Sequence, residues 1–165
     1  MSPPGGRSAS HPEPRLSSLY QAVILDHYRR PRNKRKLAEP CVEIHLTNPS
    51  CGDEISLQLR LVDGIVSEAG FTGQGCSISQ ASASMMTGLV TGLPFDDALR
   101  IAGRFTEMMH GDSSAAKDRS LGDLRALKGV SKFPVRIKCA LLAFEALQRL
   151  LDRMPAAEIG SDTKP

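Results

Sequence analysis

Apolar side chains at Leu16, Leu19, Tyr20, Val23 and Ile24, joined by His27, recur at the spacing of one helical stripe. Ser17 or Ser18 is placed to cap that helix and Pro31 to stop it. Further on the period changes to two. Val42, Ile44 and Leu46 alternate with polar neighbours, and so do Ile55, Leu57, Leu59 and Leu61, as in half-buried strands. Asp63-Gly64 separates the second run from a return segment over 65–73 and marks a two-residue hairpin, because a type I′ turn needs positive φ at both central residues. The three strands form an antiparallel meander whose apolar face needs covering.

The cover follows in the second half. "GQGCSISQASASMMTGLV" reads as a glycine turn entering a helix, with Cys76 near its first turn. "PFDDALRIAGRFTEMMHG" predicts a second helix, with Pro94 near its start and Gly111 as its C-cap. Residues 112–123 read as a polar loop, with a short helix over 121–127. A long helix starts at Pro134, carries Cys139 in its early turns, and buries Leu142, Ala146, Leu150 and Met154. Strands first and helices afterwards predict an α+β fold, a three-stranded antiparallel meander with helices packed on one face. One domain is expected over 16–154, between disordered tails at 1–15 and 155–165 that are rich in Pro, Gly, Ser or charge.

Composition narrows the class without choosing a function. The 165 residues are 41% hydrophobic and 24% charged, which fits an ordinary globular domain. Aromatics are 4% and Trp is absent, so Leu, Ile, Val, Ala and Met must build the core. No run approaches the roughly 18 apolar residues of a membrane helix, and the N-terminal residues lack the apolar stretch of a secretory signal. A cytoplasmic protein is expected. The net charge of +3 is too mild to imply nucleic acid. Six cations do crowd residues 29–36, but no aromatics interleave them, so a solvated run, or a dock for an acidic partner, is the simpler reading.

The chemistry lies with the cysteines. In a reducing compartment Cys41, Cys51, Cys76 and Cys139 favour metal or thiol chemistry over disulfides. Cys41 falls in a strand pattern with no ligand type beside it. The other three each sit at an element boundary: Cys51 in the loop entering the second strand, Cys76 and Cys139 near helix starts, where partial positive charge favours thiolate. Were both helix starts to face the Cys51 loop, three sulfurs would converge and Asp53 could complete a tetrahedral set for Zn²⁺. Spacing alone leaves this open against three separately buried thiols.

"LYQAVILDHYRRPRN", "NPSCGDEI", "GQGCSISQASASMM" and "GVSKFPVRIKCALLAFEAL" together resemble the SufU family, the zinc-dependent branch of the NifU/IscU iron–sulfur assembly proteins, from about Leu16 to about Leu151. The resemblance implies that Cys51, Asp53, Cys76 and Cys139 bind one Zn²⁺, and that Cys51 receives sulfur from the persulfide of a SufS-type cysteine desulfurase and stimulates its turnover. Downstream iron–sulfur scaffold proteins are the implied recipients. IscU-type scaffolds carry His immediately before the third Cys; this chain has Lys138, which has no lone pair for a metal when protonated. SufU-like proteins also insert a stretch before that Cys, matched here by "MMHGDSSAAKDRSLGDLRALKG". Both features favour sulfur relay over the alternatives of a scaffold carrying a transient Fe–S cluster on the same ligands and a structural zinc module that only binds partners. Arg136 is expected to support a thiolate at the site, because three thiolates and a carboxylate overcompensate Zn²⁺. His27 is expected to be a packed histidine rather than a ligand, and His45 and His110 are read the same way; the Met85-Met86 and Met108-Met109 pairs are expected to be core filler or partner surface.

Overall fold

The computed structural model describes residues 18–153. The expected tails at 1–15 and 155–165, the Ser17 cap and the burial of Met154 lie outside the described residues. The alternating runs form β1 (Val42–Asn48), β2 (Asp53–Val62) and β3 (Ile65–Gln74). They make one antiparallel sheet in the order β1-β2-β3, with Ile44 opposite Leu57 and Leu57 opposite Phe71. Asp63 and Gly64 both have positive φ, at 54° and 78°, as a type I′ turn requires. Ile44, Ile55, Leu57, Leu59 and Phe71 are buried, and helices cover that apolar face.

The helices are α1 (Ser18–Arg29), α2 (Ser77–Val90), α3 (Phe95–Met109), α4 (Ser113–Ala116) and α5 (Pro134–Arg153). On α3 the buried residues Ala98, Ile101, Ala102, Phe105 and Met108 keep the three-to-four spacing of a one-sided helix. Phe105 stacks on Phe144 of α5 with ring centroids 4.5 Å apart. Both Met pairs are buried, so they fill core. α2 is different: every residue from Ile78 to Thr87 is buried. Its small side chains let neighbours approach from all sides, and its hydroxyls find partners inside. Ser82 Oγ donates to the Ala140 carbonyl at 2.6 Å, and Thr87 Oγ1 to the Ser84 carbonyl at 3.1 Å.

Residues 112–123 are not a loop. Asp112 accepts from the N–H groups of Ser114 and Ala115 and caps α4. Asp118 accepts from Ser120 N–H and opens a 3-10 segment, Arg119–Lys132, that replaces the expected short helix at 121–127. Gly122, at φ 52°, kinks that segment. Ala115, Leu121, Leu124 and Leu127 are buried, so these short elements belong to the core.

His27 is a packed histidine, as expected. Its Nδ1 lies 2.8 Å from Ser84 Oγ and its Nε2 2.9 Å from Asp123 Oδ2, which joins α1, α2 and the 3-10 segment. Ser84 Oγ also accepts from Arg32 N–H at 2.8 Å, so its hydroxyl proton is free to point at Nδ1 and the Nε2 proton at Asp123. His45 and His110 are instead exposed. In the basic run, Arg30 and Arg32 pair with Asp26, and Arg35 stands 4.0 Å from Glu68.

Candidate metal centre

One end of the sheet carries the chemistry. Asn48 closes β1 opposite Asp53, the first residue of β2, and residues 49–52 turn between them. The Asn48 carbonyl accepts from Cys51 N–H at 3.1 Å and Gly52 N–H at 2.8 Å, while Gly52 takes φ 74°, which glycine adopts without a Cβ clash. This holds Cys51, half-buried, at the tip of the turn. α2 begins beside it. Cys76 is the N-cap, and Ser79 N–H points at its sulfur from 3.5 Å. Asp53 is buried, and its Oδ1 accepts from Cys76 N–H at 2.9 Å. Its other oxygen, Oδ2, lies 3.9 Å from Cys76 Sγ. Gly75 makes this possible, since a Cβ there would stand 2.4 Å from Asp53 Oδ1 and 2.7 Å from Ser79 Oγ.

α5 brings the third sulfur. Cys139 is buried, with its Sγ 3.3 Å from Cys51 Sγ. Ligand atoms of Cys51, Asp53 and Cys139 all lie within 4.8 Å of one another, and Cys76 adjoins them through Asp53. Two thiols and a carboxylate, from the β1–β2 turn, the start of β2 and α5, thus meet in one place, with the Cys76 thiol of the α2 start beside the carboxylate. A Zn–S bond of about 2.3 Å puts tetrahedral sulfurs roughly 3.8 Å apart, so this spacing and this donor set fit zinc.

The thiols differ in character. Cys76 is depressed from 9.0 to about 6, chiefly because the Cys139 thiol donates a hydrogen bond to it; the Ser79 N–H adds to this, while burial and Asp53 oppose it. Cys139 is pushed up, first by donating to Cys76 and then by its burial. Cys41 stands apart, half-buried just before β1, with its thiol raised by burial and then by Glu39 and Glu43. Arg136 lies three residues before Cys139 on α5 and is half-buried, a spacing that puts the two on neighbouring parts of the helix surface; Lys138 is exposed. Asn48, Gly75 and Ser79 are parts of the centre that sequence reasoning missed. The available signal was the pair Asn48 and Asp53 bracketing the Cys51 turn.

The model of the NifU-like N-terminal domain matches residues 19–140 of the chain. The chain belongs to the NifU-like N-terminal domain family. Among relatives within reach of this family, a Bacillus subtilis protein named zinc-dependent sulfurtransferase SufU is 49% identical over 137 residues, covering 81% of this chain and 90% of that one. A Streptococcus pyogenes protein named iron–sulfur cluster assembly scaffold protein IscU is 41% identical, covering 87% and 89%. In three dimensions, the SufU of Fervidobacterium islandicum AW-1 superposes with a TM-score of 0.65 at 30% identity, over 77% of this chain and 92% of that one. A crystal structure of a hypothetical protein gives a TM-score of 0.77 at 42% identity, over 84% and 100%. The three-stranded sheet with its helical cover is thus the fold of this NifU-like domain. Among the described residues, no helix is long and apolar enough to cross a membrane.

Proposed function

We propose that this chain is a zinc-dependent sulfur acceptor of iron–sulfur cluster assembly in the cytoplasm, taking sulfur onto Cys51 from the persulfide of a SufS-type cysteine desulfurase and passing it to scaffold proteins downstream. The observation that carries this reading is the meeting of the Cys51 and Cys139 thiols with the Asp53 carboxylate at the β1–β2 turn, the Cys76 thiol adjoining that carboxylate, with Cys51 the sulfur on the loop and Cys139 the one in the core. The name of the Bacillus subtilis relative supports it. Cys51, Asp53, Cys76 and Cys139 would hold the ion. Zinc supplies a charge that keeps sulfur as thiolate at neutral pH without redox chemistry of its own.

The rest of the chemistry belongs to the chain. The Cys51 thiolate attacks the outer sulfur of the desulfurase persulfide. A new S–S bond forms on Cys51, the old S–S bond breaks, and the desulfurase cysteine leaves as thiolate, so no electrons are gained or lost overall. Asn48 and Gly52 hold the turn that presents Cys51. Asp53, gripped by Cys76 N–H, keeps the α2 start against that turn. Arg136 offsets negative charge beside Cys139.

Desulfurase turnover with and without this protein tests the reading, together with mass mapping of the persulfide. Wild type should stimulate turnover and carry the added sulfur on Cys51; Cys51→Ser and Asp53→Ala should return turnover to the unstimulated rate. A Cys51→Ser protein that stimulates like wild type overturns it. The Streptococcus pyogenes relative's name favours a second reading, a scaffold with an Fe–S cluster on the same residues. Metal analysis separates the two: one zinc per chain without visible absorbance supports relay, and a coloured iron-loaded protein supports the scaffold.

A further inference from the structure

Two sulfurs in contact, Cys51 and Cys139 at 3.3 Å, raise a question of selectivity: an electrophilic sulfur that reaches one is close to the other. Burial explains part of the preference, since Cys139 is 0% exposed while Cys51 is half-buried. A hydrogen bond explains more. Asn48 is 6% exposed, and its side-chain Nδ2 points at Cys139 Sγ from 3.9 Å. Its backbone carbonyl meanwhile accepts from Cys51 N–H and Gly52 N–H. One residue therefore grips the loop of the first sulfur by its main chain and faces the second sulfur with its amide.

The chemistry of the two grips differs. An N–H aimed at a thiolate occupies a sulfur lone pair and lowers its nucleophilicity, and a neutral amide does so without altering the charge of the cluster. Cys51 receives no side-chain N–H among the described residues; its backbone N–H goes to the Asn48 carbonyl, and its sulfur meets that of Cys139 at 3.3 Å. We propose that Asn48 is a positioning residue that quiets Cys139 and leaves Cys51 as the sulfur that reacts. This rests on the reading of Cys51 as the acceptor, and it names the device that makes the choice.

Asn48→Leu removes the donor at similar volume, and Asn48→Ser withdraws it beyond reach with a smaller side chain. Both keep the carbonyl that tethers Cys51. The metal-loaded proteins, without any desulfurase, are treated briefly with iodoacetamide, and the label is mapped by peptide mass spectrometry. Wild type should be labelled chiefly at Cys51. In both variants the share on Cys139 should rise about fivefold, the factor carried by one hydrogen bond of ordinary net strength. Zinc affinity in a chelator competition should fall about tenfold, as for loss of an outer-shell partner. With desulfurase and cysteine added, persulfide should appear on Cys139 of the variants.

An unchanged label ratio in either folded variant overturns the proposal. So does extra label confined to Cys51, which is what a merely loosened turn would give. If wild type labels as expected but carries no persulfide on Cys51, the acceptor reading fails, while the labelling ratio still decides the role of Asn48.

Discussion

The two ends of α2 bury polar groups in opposite ways. At its C-terminal end, Ser84 meets His27 and Arg32 N–H, Thr87 bonds the carbonyls of Arg32 and Ser84, and His27 reaches Asp123. Nitrogen and oxygen pair there at ordinary distances, and a buried polar network in that condition rigidifies what it joins. At its N-terminal end the polar atoms are sulfurs and a carboxylate, several of them negative or ready to become so, with few donors to share. Such a set is costly to bury alone and inexpensive to bury around a cation. The same helix thus carries a clasp at one end, complete within the chain, and at the other a nest of donors that suits an ion.

The contrast predicts that the two ends can be broken separately. The largest effect on folding should come from the clasp: His27→Ala removes a buried hydrogen bond to Ser84 and a part-buried one to Asp123 and leaves a cavity, costing about 2–4 kcal/mol. Chemical denaturation would read this as a lower midpoint, with zinc affinity per folded molecule within about twofold of wild type, since the clasp makes no contact with the sulfurs. A change in affinity as large as the change in stability would break the comparison.

Gly75→Ala should do the reverse. Its Cβ would push on Asp53 Oδ1 and Ser79 Oγ, so zinc affinity should fall about tenfold, the usual scale for disturbing the support of a ligand. The metal-free protein should fold with little loss. Competition with a chromophoric chelator, set beside a melting curve, checks both halves.

A pH titration sharpens the chemical side. Because Cys76 is depressed from 9.0 to about 6, metal-free protein should gain thiolate absorbance near 240 nm with a midpoint near 6. Its stability should rise between about 6 and 9, where the unfolded thiol keeps a proton that the folded one has lost. Below the folded midpoint that contribution disappears, and above 9 the raised Cys139 works against folding. In Cys139→Ser the midpoint should change, because the thiol that donates most to Cys76 is gone; an unmoved midpoint would remove Cys139 from the explanation.

The smallest effect is expected at Gly88, exposed near the C-terminal end of α2, where an added Cβ meets nothing within 4 Å. Gly88→Ala should stabilise the protein by about 0.4–1 kcal/mol by restricting the unfolded chain. Thermal unfolding would show it, with zinc binding unaltered.

How legible each region was in the sequence follows from the range of its interactions. The meander was readable because alternation, Asp63-Gly64 and the strand boundaries are local signals, and β1 to β3 fall where Val42, Ile55 and the 65–73 segment predict. Cys76 and Cys139 at helix starts were readable for the same reason. The meeting of Cys51 with Cys139 was not, because it depends on how α5 crosses the sheet, and only the resemblance of the motifs anticipated it. Residues 112–123 misled because α4 is only four residues long and the 3-10 segment, kinked at Gly122, does not carry the α-helical period, although Asp112 and Asp118 are ordinary capping residues. Asn48 read as a turn residue. Its amide acquires a role only through a sulfur that arrives from α5.

The burial of α2 on every side from Ile78 to Thr87 has a practical corollary. A spectroscopic tag, a bulky unnatural side chain or a crosslinker placed along that stretch has no solvent to project into and would have to displace neighbouring helices. Gly88, exposed near the end of the same rod, offers an outward foothold instead. A reporter there would be carried by the helix that holds Cys76, so it could follow motion of the sulfur end from the far end.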